Sequence, residues 1–226
     1  MKALKLEIYQ ESACYKKPFA LKVAETYPLP PYSTVKGFLH KLIGAEEFVP
    51  MSISVQGNFE SIFFNLQSMY SYKVEKNEEI ATSVPTYIHY LYNINLIIHV
   101  LAKQNVLDDI RNGINGSTEY LSLGRREDLA VVKSVKEVNI SEVSMCEGGE
   151  DPYILKHDVY IPKSQLPNDV NGINYKLNWK YKKQNGLRIW EQAYDVVYVE
   201  KDCLIDNTKA LLDEDKDIVF FNDMEI

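Results

Sequence analysis

Cysteine is scarce in this chain of 226 residues, and the three present, Cys14, Cys146 and Cys203, lie far apart with no C-x-x-C pair. That spacing argues against a disulfide framework or a zinc site and leaves buried thiols as the plain reading. Histidine is equally sparse. His40, His89, His99 and His157 show no H-x-x-x-H or E-x-x-H ligand spacing, so no metal and no cofactor are expected. The sequence has no G-x-S-x-G nucleophile motif and no G-x-x-x-x-G-K phosphate loop. It has no repeat of solenoid period and no low-complexity segment. No apolar run reaches membrane-spanning length: 94-INLIIHVLA-102 is too short and is broken by His99. The first residues, MKALKLEIYQ, alternate like a strand rather than a signal peptide, so a cytoplasmic protein without a membrane partner is expected.

Positive charge is also in deficit, with a net charge of −7. The deficit is uneven. Residues 201–226 hold three lysines against eight acids, and the first 200 residues are close to neutral. Salt confines a surface charge's influence to about 8 Å, so local basic clusters in that neutral part can still meet phosphate. Overall acidity argues only against indiscriminate nucleic-acid binding.

What the chain has in excess is tyrosine, 16 residues against 8 phenylalanines. Tyrosine offers a flat apolar face with a polar tip, suited to wet interfaces and to stacking on bases. Half-exposed strand faces favour the same residue, so no single tyrosine decides between the two.

The length fits one large domain or two small ones. Lys2–Gln10 reads as a strand. In 27-YPLPPYSTVKGFLHKLIG-44, Ser33 and Thr34 read as a capping pair before apolar residues at helical spacing, with Gly44 as the stop. Two strands, Ser52–Gln56 and Ser61–Tyr70, are expected to meet at a tight 57-GN-58 hairpin. The stretch 71–93 is too long for a plain connection. Asn95–Ala102 reads as a strand, Gln104–Gly113 as a helix stopped by its glycine, and a further strand begins near Leu129. The order is α+β, a split βαβ pattern of ferredoxin-like type over residues 1–139 with an insertion at about 71–93. Residues 140–226 read as a smaller, mostly β region.

Four constellations could carry chemistry. Ser33-Thr34-x-Lys36-Gly37 sits at a helix start, where free N–H groups and the dipole favour anions; the plain alternative is an N-cap with a solvated lysine. In 123-LGRRED-128 a glycine turn presents Arg125 and Arg126, which could fork onto phosphate or pair with Glu127 and Asp128. The 16-KKP-18 loop with Lys22, and the cluster 87-YIHYLY-92, each have a solvated or core alternative.

Together, the N-terminal strand, the lysine loop, 26-TYPLPPYSTVKGFL-39 and 121-LSLGRRED-128 resemble the CRISPR-associated Cas-five family, a RAMP-type (RRM-like) subunit of type I Cascade. The likeness spans roughly the first 140 residues, and the tyrosine-rich middle is most similar to the type I-B branch. It implies a non-enzymatic subunit that caps the 5′ handle of CRISPR RNA. A thumb hairpin inserted near 71–93 would dock the Cas-seven-type backbone subunit. The Cas-eight-type large subunit would lie alongside, with target DNA near the PAM an indirect partner. The implied RNA-binding residues are Lys16, Lys17, Tyr32, Ser33, Thr34, Lys36, Gly37, His40, Gly124, Arg125 and Arg126. The implied thumb contacts are Tyr87, His89, Tyr90 and Tyr92. One branch of the family, that of type I-C, is instead a metal-independent ribonuclease using a tyrosine after the first helix and a Lys-His pair. Here the helix ends in Leu42-Ile43-Gly44, and the one Lys-His dipeptide is 156-KH-157. A ribonuclease that processes precursor CRISPR RNA is therefore the second reading. A ferredoxin-like protein-interaction module without RNA is the third.

Overall fold

The computed structural model describes residues 1–20, 23–75, 78–145, 152–206 and 208–223. Lys22 and Cys146 lie outside the described residues. The described chain is mostly β, with two α-helices.

Strand β1 (Lys2–Ala13) is followed by short β2 (Val23–Ala24), helix α1 (Tyr32–Leu42), β3 (Ser52–Asn58), β4 (Ser61–Glu75), β5 (Glu78–Leu101), helix α2 (Gln104–Asn115) and β6 (Val131–Asn139). The antiparallel order β3-β5-β1-β6, with a helix after β1 and another after β5, is the connection order of a split βαβ unit. Alternation along β1 sorts its side chains. Leu4, Leu6 and Ile8 join Val35, Phe38 and Leu39 of α1 and Val106, Leu107 and Ile110 of α2 in the main core. Ala3 and Lys5 face the other way.

Three local expectations are corrected. Helix α1 starts at Tyr32 with Pro31 at the N-cap and no side-chain cap bond, so Ser33 and Thr34 lie in the first turn and do not cap it. Burying apolar side chains at about 1.5–3 kcal/mol each outweighs the roughly 1 kcal/mol cost of Gly37, so the helix needs no hydroxyl cap. Gly113 does not stop α2, which runs on to Asn115 with Gly116 at its C-cap. A Cβ on Gly113 would sit 2.3 Å from the Leu42 carbonyl oxygen, so this glycine lets the two helices touch. Nor do Gly57 and Asn58 form a hairpin turn. They are the last residues of β3, which pairs with β5 and not β4, and a Cβ on Gly57 would lie 2.4 Å from the Asn95 carbonyl oxygen.

The length of β5 explains that last difference. Its 24 residues accept β3 and β4 end to end along one edge, with β1 and β2 along the other. Beyond the sheet, β4 and β5 continue as a long hairpin paired from Ser61↔Tyr92 to Glu75↔Glu78. The stretch 71–93 forms the far part of that hairpin and most of its return strand. Where hairpin meets sheet, Asn93 adopts φ +53°, and the pairing with β1 skips a step between Gln10↔Ile94 and Ser12↔Tyr92. The Asn93 amide donates to Glu60 Oε2 at 2.8 Å.

The C-terminal region supplies β7 (Ser141–Met145), β8 (Tyr153–Ile154), β9 (Asp158–Pro162), β10 (Ile173–Gln184), β11 (Leu187–Val199), β12 (Leu204–Ile205), β13 (Thr208–Leu212) and β14 (Ile218–Val219). It is continuous with the main sheet: β9, β11 and β10 extend it beyond β3. Strands β7, β13 and β14 form a second sheet, and its chain continues across the face of the first that the helices leave open. Buried Ser52, Ser54 and Gln56 of β3 hold that segment: the Phe220 N–H donates to Ser54 Oγ at 3.0 Å and Gln56 Nε2 donates to the Ile218 carbonyl at 3.0 Å.

The turn between β13 and β14 holds the acidic run, and it is not a solvated face. The buried Lys5 ammonium donates to Asp213 at 2.7 Å, Asp215 at 2.7 Å and Asp217 at 2.5 Å, while His99 Nε2 lies 3.0 Å from Asp213. Burial alone would raise the Asp213 carboxyl, but bonds from His99 and Lys5 outweigh it and hold it well below the usual carboxylate range. Removing one partner from a buried ion cluster strands the others, at about 3–5 kcal/mol. Lys5→Met should therefore lower unfolding stability in urea by about that amount. Because the Asp213 value is depressed in the folded state, the cluster contributes fully above about pH 4 and loses its contribution on acidification. A variant as stable as the parent at pH 7 would show the cluster to be dispensable.

Candidate nucleic-acid interface

A groove of about 800 Å³ opens between the start of α1, the 45–48 loop, the turn at Ser122 and Gly124, and the β10–β11 hairpin. Ser33, Thr34, Lys36, Gly37 and His40 line one wall. No atom lies within 4 Å of a Cβ built on Gly37, so backbone is open to close approach there. The first-turn N–H groups and the helix dipole favour an anion on this wall.

Lys36 crosses the groove floor. Its ammonium donates to the Trp179 carbonyl and lies 4.5 Å from the Trp179 ring centroid and 5.0 Å from that of Phe48. The pairing of β10 with β11 shifts register at Trp179, between Asn178↔Ala193 and Lys180↔Gln192, and Lys36 takes up the carbonyl at that irregular point. Burial, then the nearby Lys180, lowers the Lys36 ammonium to about 8. Lys180 sits 4.7 Å from the Phe48 ring centroid, so two cations share one aromatic ring. His40 lies edge-on to Phe48 with its buried Nε2 unpartnered among the described residues, and burial pushes its pKa down.

The turn after Tyr120 forms the next part of the rim. Gly124 takes φ +114°, and Gln10 of β1 holds the turn by donating to the Leu123 carbonyl at 2.9 Å. Arg125 forks onto the buried Asp128 through Nε at 3.1 Å and Nη2 at 2.6 Å, and stacks 4.8 Å over Tyr90. Arg126 is exposed and makes no ion pair among the described residues.

With this geometry, sequence comparison is decisive. The family model described as CRISPR-associated protein (Cas_Cas5) matches residues 3–188. The chain belongs to that family. No curated protein matches the sequence. Among solved structures, a chain of one described as "CRISPR RNA-guided surveillance complex" is 14% identical, with a TM-score of 0.59 over 91% of this chain and 94% of that one. A CRISPR protein from Archaeoglobus fulgidus is 10% identical, with a TM-score of 0.51 over 98% of this chain and 99% of that one. At these identities the likeness is one of fold.

In this Cas-five family chain the residues singled out from sequence do not all converge. Ser33, Thr34, Lys36, Gly37, His40 and Gly124 share the groove. Tyr32 does not: its ring is fully buried, edge-on to Tyr160 and Tyr194. Lys16 and Lys17 sit on a separate loop, where Lys17 pairs with Glu25 at 3.4 Å and reaches over Tyr175. On the long hairpin, cross-strand register puts Tyr87 and His89 on one face with Leu66 and Phe64. Tyr90 and Tyr92 share the opposite face with Phe63. The one compact carboxylate cluster among the described residues, Asp213 with Asp215 and Asp217, is filled by the Lys5 ammonium.

Sequence reading missed the groove's far wall, built from Trp179, Lys180, Tyr181, Lys183, Arg188 and Trp190. The available signal was the interleaving of base and aromatic in 179-WKYKK-183 and 188-RIW-190.

The lowered Lys36 value has a stability signature. Between about 8 and the usual 10.5 the unfolded chain holds a proton that the folded chain has released, so stability contributed by this site rises with pH across that window. Lys36→Met should remove that rise while wild type keeps it, read from urea midpoints taken at several pH values. Parallel profiles would mean Lys36 is solvated.

Proposed function

We propose that this chain is a non-catalytic subunit of a type I CRISPR Cascade surveillance complex, of the type I-B branch, that binds and caps the 5′ handle of CRISPR RNA. The observation that carries this is the groove, where an open helix start with bare Gly37 faces a wall of aromatic rings and of cations that have no ion-pair partner among the described residues. Sequence-specific RNA binding favours unpaired bases stacked on side chains, with phosphates held by cations and N–H groups. The split βαβ order supports a ferredoxin-like, RAMP-type reading, as does the likeness to a chain from an RNA-guided surveillance complex. RNA bound to the isolated subunit or to its complex should carry repeat-derived 5′ ends on sequencing. Arg126→Ala, on an exposed side chain, should weaken that binding by about tenfold or more, as loss of a charged hydrogen bond of about 1.5 kcal/mol predicts, without lowering the melting temperature. Arg125→Ala would instead damage the turn, because its guanidinium is committed to Asp128.

A ribonuclease is the second reading, favoured by Lys36 at about 8 beside His40 with a free buried ring nitrogen. Metal-independent cleavage needs a base and a cation at one phosphate. Lys36, however, is tied to a backbone carbonyl. Wild type should leave labelled precursor repeat RNA intact; cutting that vanishes in His40→Ala would establish the nuclease in its place.

The long hairpin is the surface we assign to the Cas-seven-type backbone subunit, with the Cas-eight-type subunit and PAM-proximal DNA beyond. Residues 61–72 and 81–92 contain no Asp, Glu, Lys or Arg, and Phe64, Leu66, Tyr70, Tyr72 and Tyr87 are each more than half exposed. An uncharged aromatic shaft suits a protein interface better than a phosphate backbone. Replacing residues 68–85 by a two-residue turn closes the hairpin at Gln67↔Thr86 and leaves the core intact. The trimmed chain should stay soluble and fail to co-elute with the backbone subunit on size exclusion. Normal co-elution would remove the hairpin from the interface.

A further inference from the structure

The β10–β11 hairpin has two unlike faces. Cross-strand pairing sets Tyr181 opposite Trp190 and Lys183 opposite Arg188, and these four share the face lining the groove. The opposite face carries Lys182 beside Ile189 and Gln184 beside Leu187, and there Lys182 is neutralised by Glu191 at 3.1 Å. On the groove face neither Lys183 nor Arg188 has a carboxylate within ion-pair distance among the described residues. Trp190 is 44% exposed, although it meets Tyr181 edge-on with centroids 5.6 Å apart, and the Arg188 guanidinium lies 4.8 Å from the Tyr181 centroid. Leaving a tryptophan half in water and two cations unpaired on one face, while pairing the lysine on the other, is an arrangement that a bound anion with an aromatic body would complete.

We propose that Trp190 is a stacking platform for one unpaired base of a single-stranded RNA lying in the groove, with Lys183 and Arg188 taking the phosphates on either side of it. This rests on the RNA-binding reading above and adds to it a specific contact, from a part of the chain distant in sequence from α1. A duplex buries both faces of each base in its own stack, so the platform selects single strands. Lys36 acts through this wall as a positioning residue: its bond to the Trp179 carbonyl fixes the irregular point in β10 from which Lys180 and Tyr181 turn toward the groove.

The test uses the full chain with a short labelled single-stranded RNA, the same RNA annealed to its complement, and a series with one abasic nucleotide at each position. Wild type should prefer the single strand and be sensitive to base removal at one position. Trp190→Ala should lose about 5- to 100-fold in affinity and lose that positional sensitivity, whereas Trp190→Phe should keep most of both. Lys183→Ala and Arg188→Ala should each lower the slope of log affinity against log salt by about 0.7. Tryptophan emission should be quenched by RNA in wild type and not in Trp190→Phe, because the other tryptophan, Trp179, is buried. A Trp190→Ala protein that binds single strands as wild type does would overturn the platform and leave the RNA-binding subunit standing. Equal wild-type affinity for duplex and single strand would also overturn the platform. Failure of wild type to bind any of these RNAs would overturn both readings.

Discussion

The Lys5 ammonium among three aspartates is the contact on which the remaining architecture leans. It lies on the second residue pair of the first strand, yet its partners come from the last fifteen residues of the chain, so it ties together segments more than two hundred residues apart. That tie presses β14 and the segment after it onto the polar back of β3. It also brings Ile205, Leu212 and Ile218 against Val159, Ile161, Val197 and Val199 of β9 and β11. Strand β11 is thereby held from behind, and with it the hairpin that forms the far wall of the groove. The charge excess of the C-terminal segment is thus a structural matter, with little bearing on what the groove attracts.

The two hairpins differ in charge. Between its charged tip and the sheet, over residues 61–72 and 81–92, the β4–β5 shaft is uncharged and carries aromatic residues on both faces, so it gains from leaving water. The β10–β11 hairpin is cationic and aromatic on one face, so it gains from meeting phosphate. A chain of net charge −7 keeps this local basic surface because screening prevents the distant acids from cancelling it. Arg125 shows how the same residue type serves either purpose. Beside a buried carboxylate it becomes internal scaffolding, and one position later Arg126 remains available.

The main elements were legible in the sequence because period-2 and period-3.6 patterns sort the side chains of each element: α1 and α2 each bury one face, and β1 alternates between the main apolar core and a second buried face that carries Ala3 and Lys5. Three glycines show where such patterns stop. Gly44 does end its helix in a left-handed conformation, φ +63°, as a local signal should. Gly57 and Gly113 look like the same signal, but they are glycine because Asn95 and Leu42 approach from elsewhere in the chain, and a sequence does not display that approach. The groove was half legible for a related reason. The start of α1 and the 123–128 turn carry local motifs, whereas the opposing wall is brought in by strand pairing across β3, β9 and β11. The burial of Lys5 by acids more than two hundred residues away was equally invisible.

The junction at Asn93 sets a dimension of the molecule. β5 runs without a break from the hairpin tip to α2, about 80 Å if fully extended at 3.3 Å per residue. Strand β1 splints it across the gap where β3 ends and β4 begins. At the junction one residue, Asn93, takes a backbone conformation that asparagine tolerates and β-branched residues resist. The shaft and an interior strand of the sheet are one piece of backbone, so a load applied to the shaft would fall directly on the sheet's β1–β5–β3 pairing.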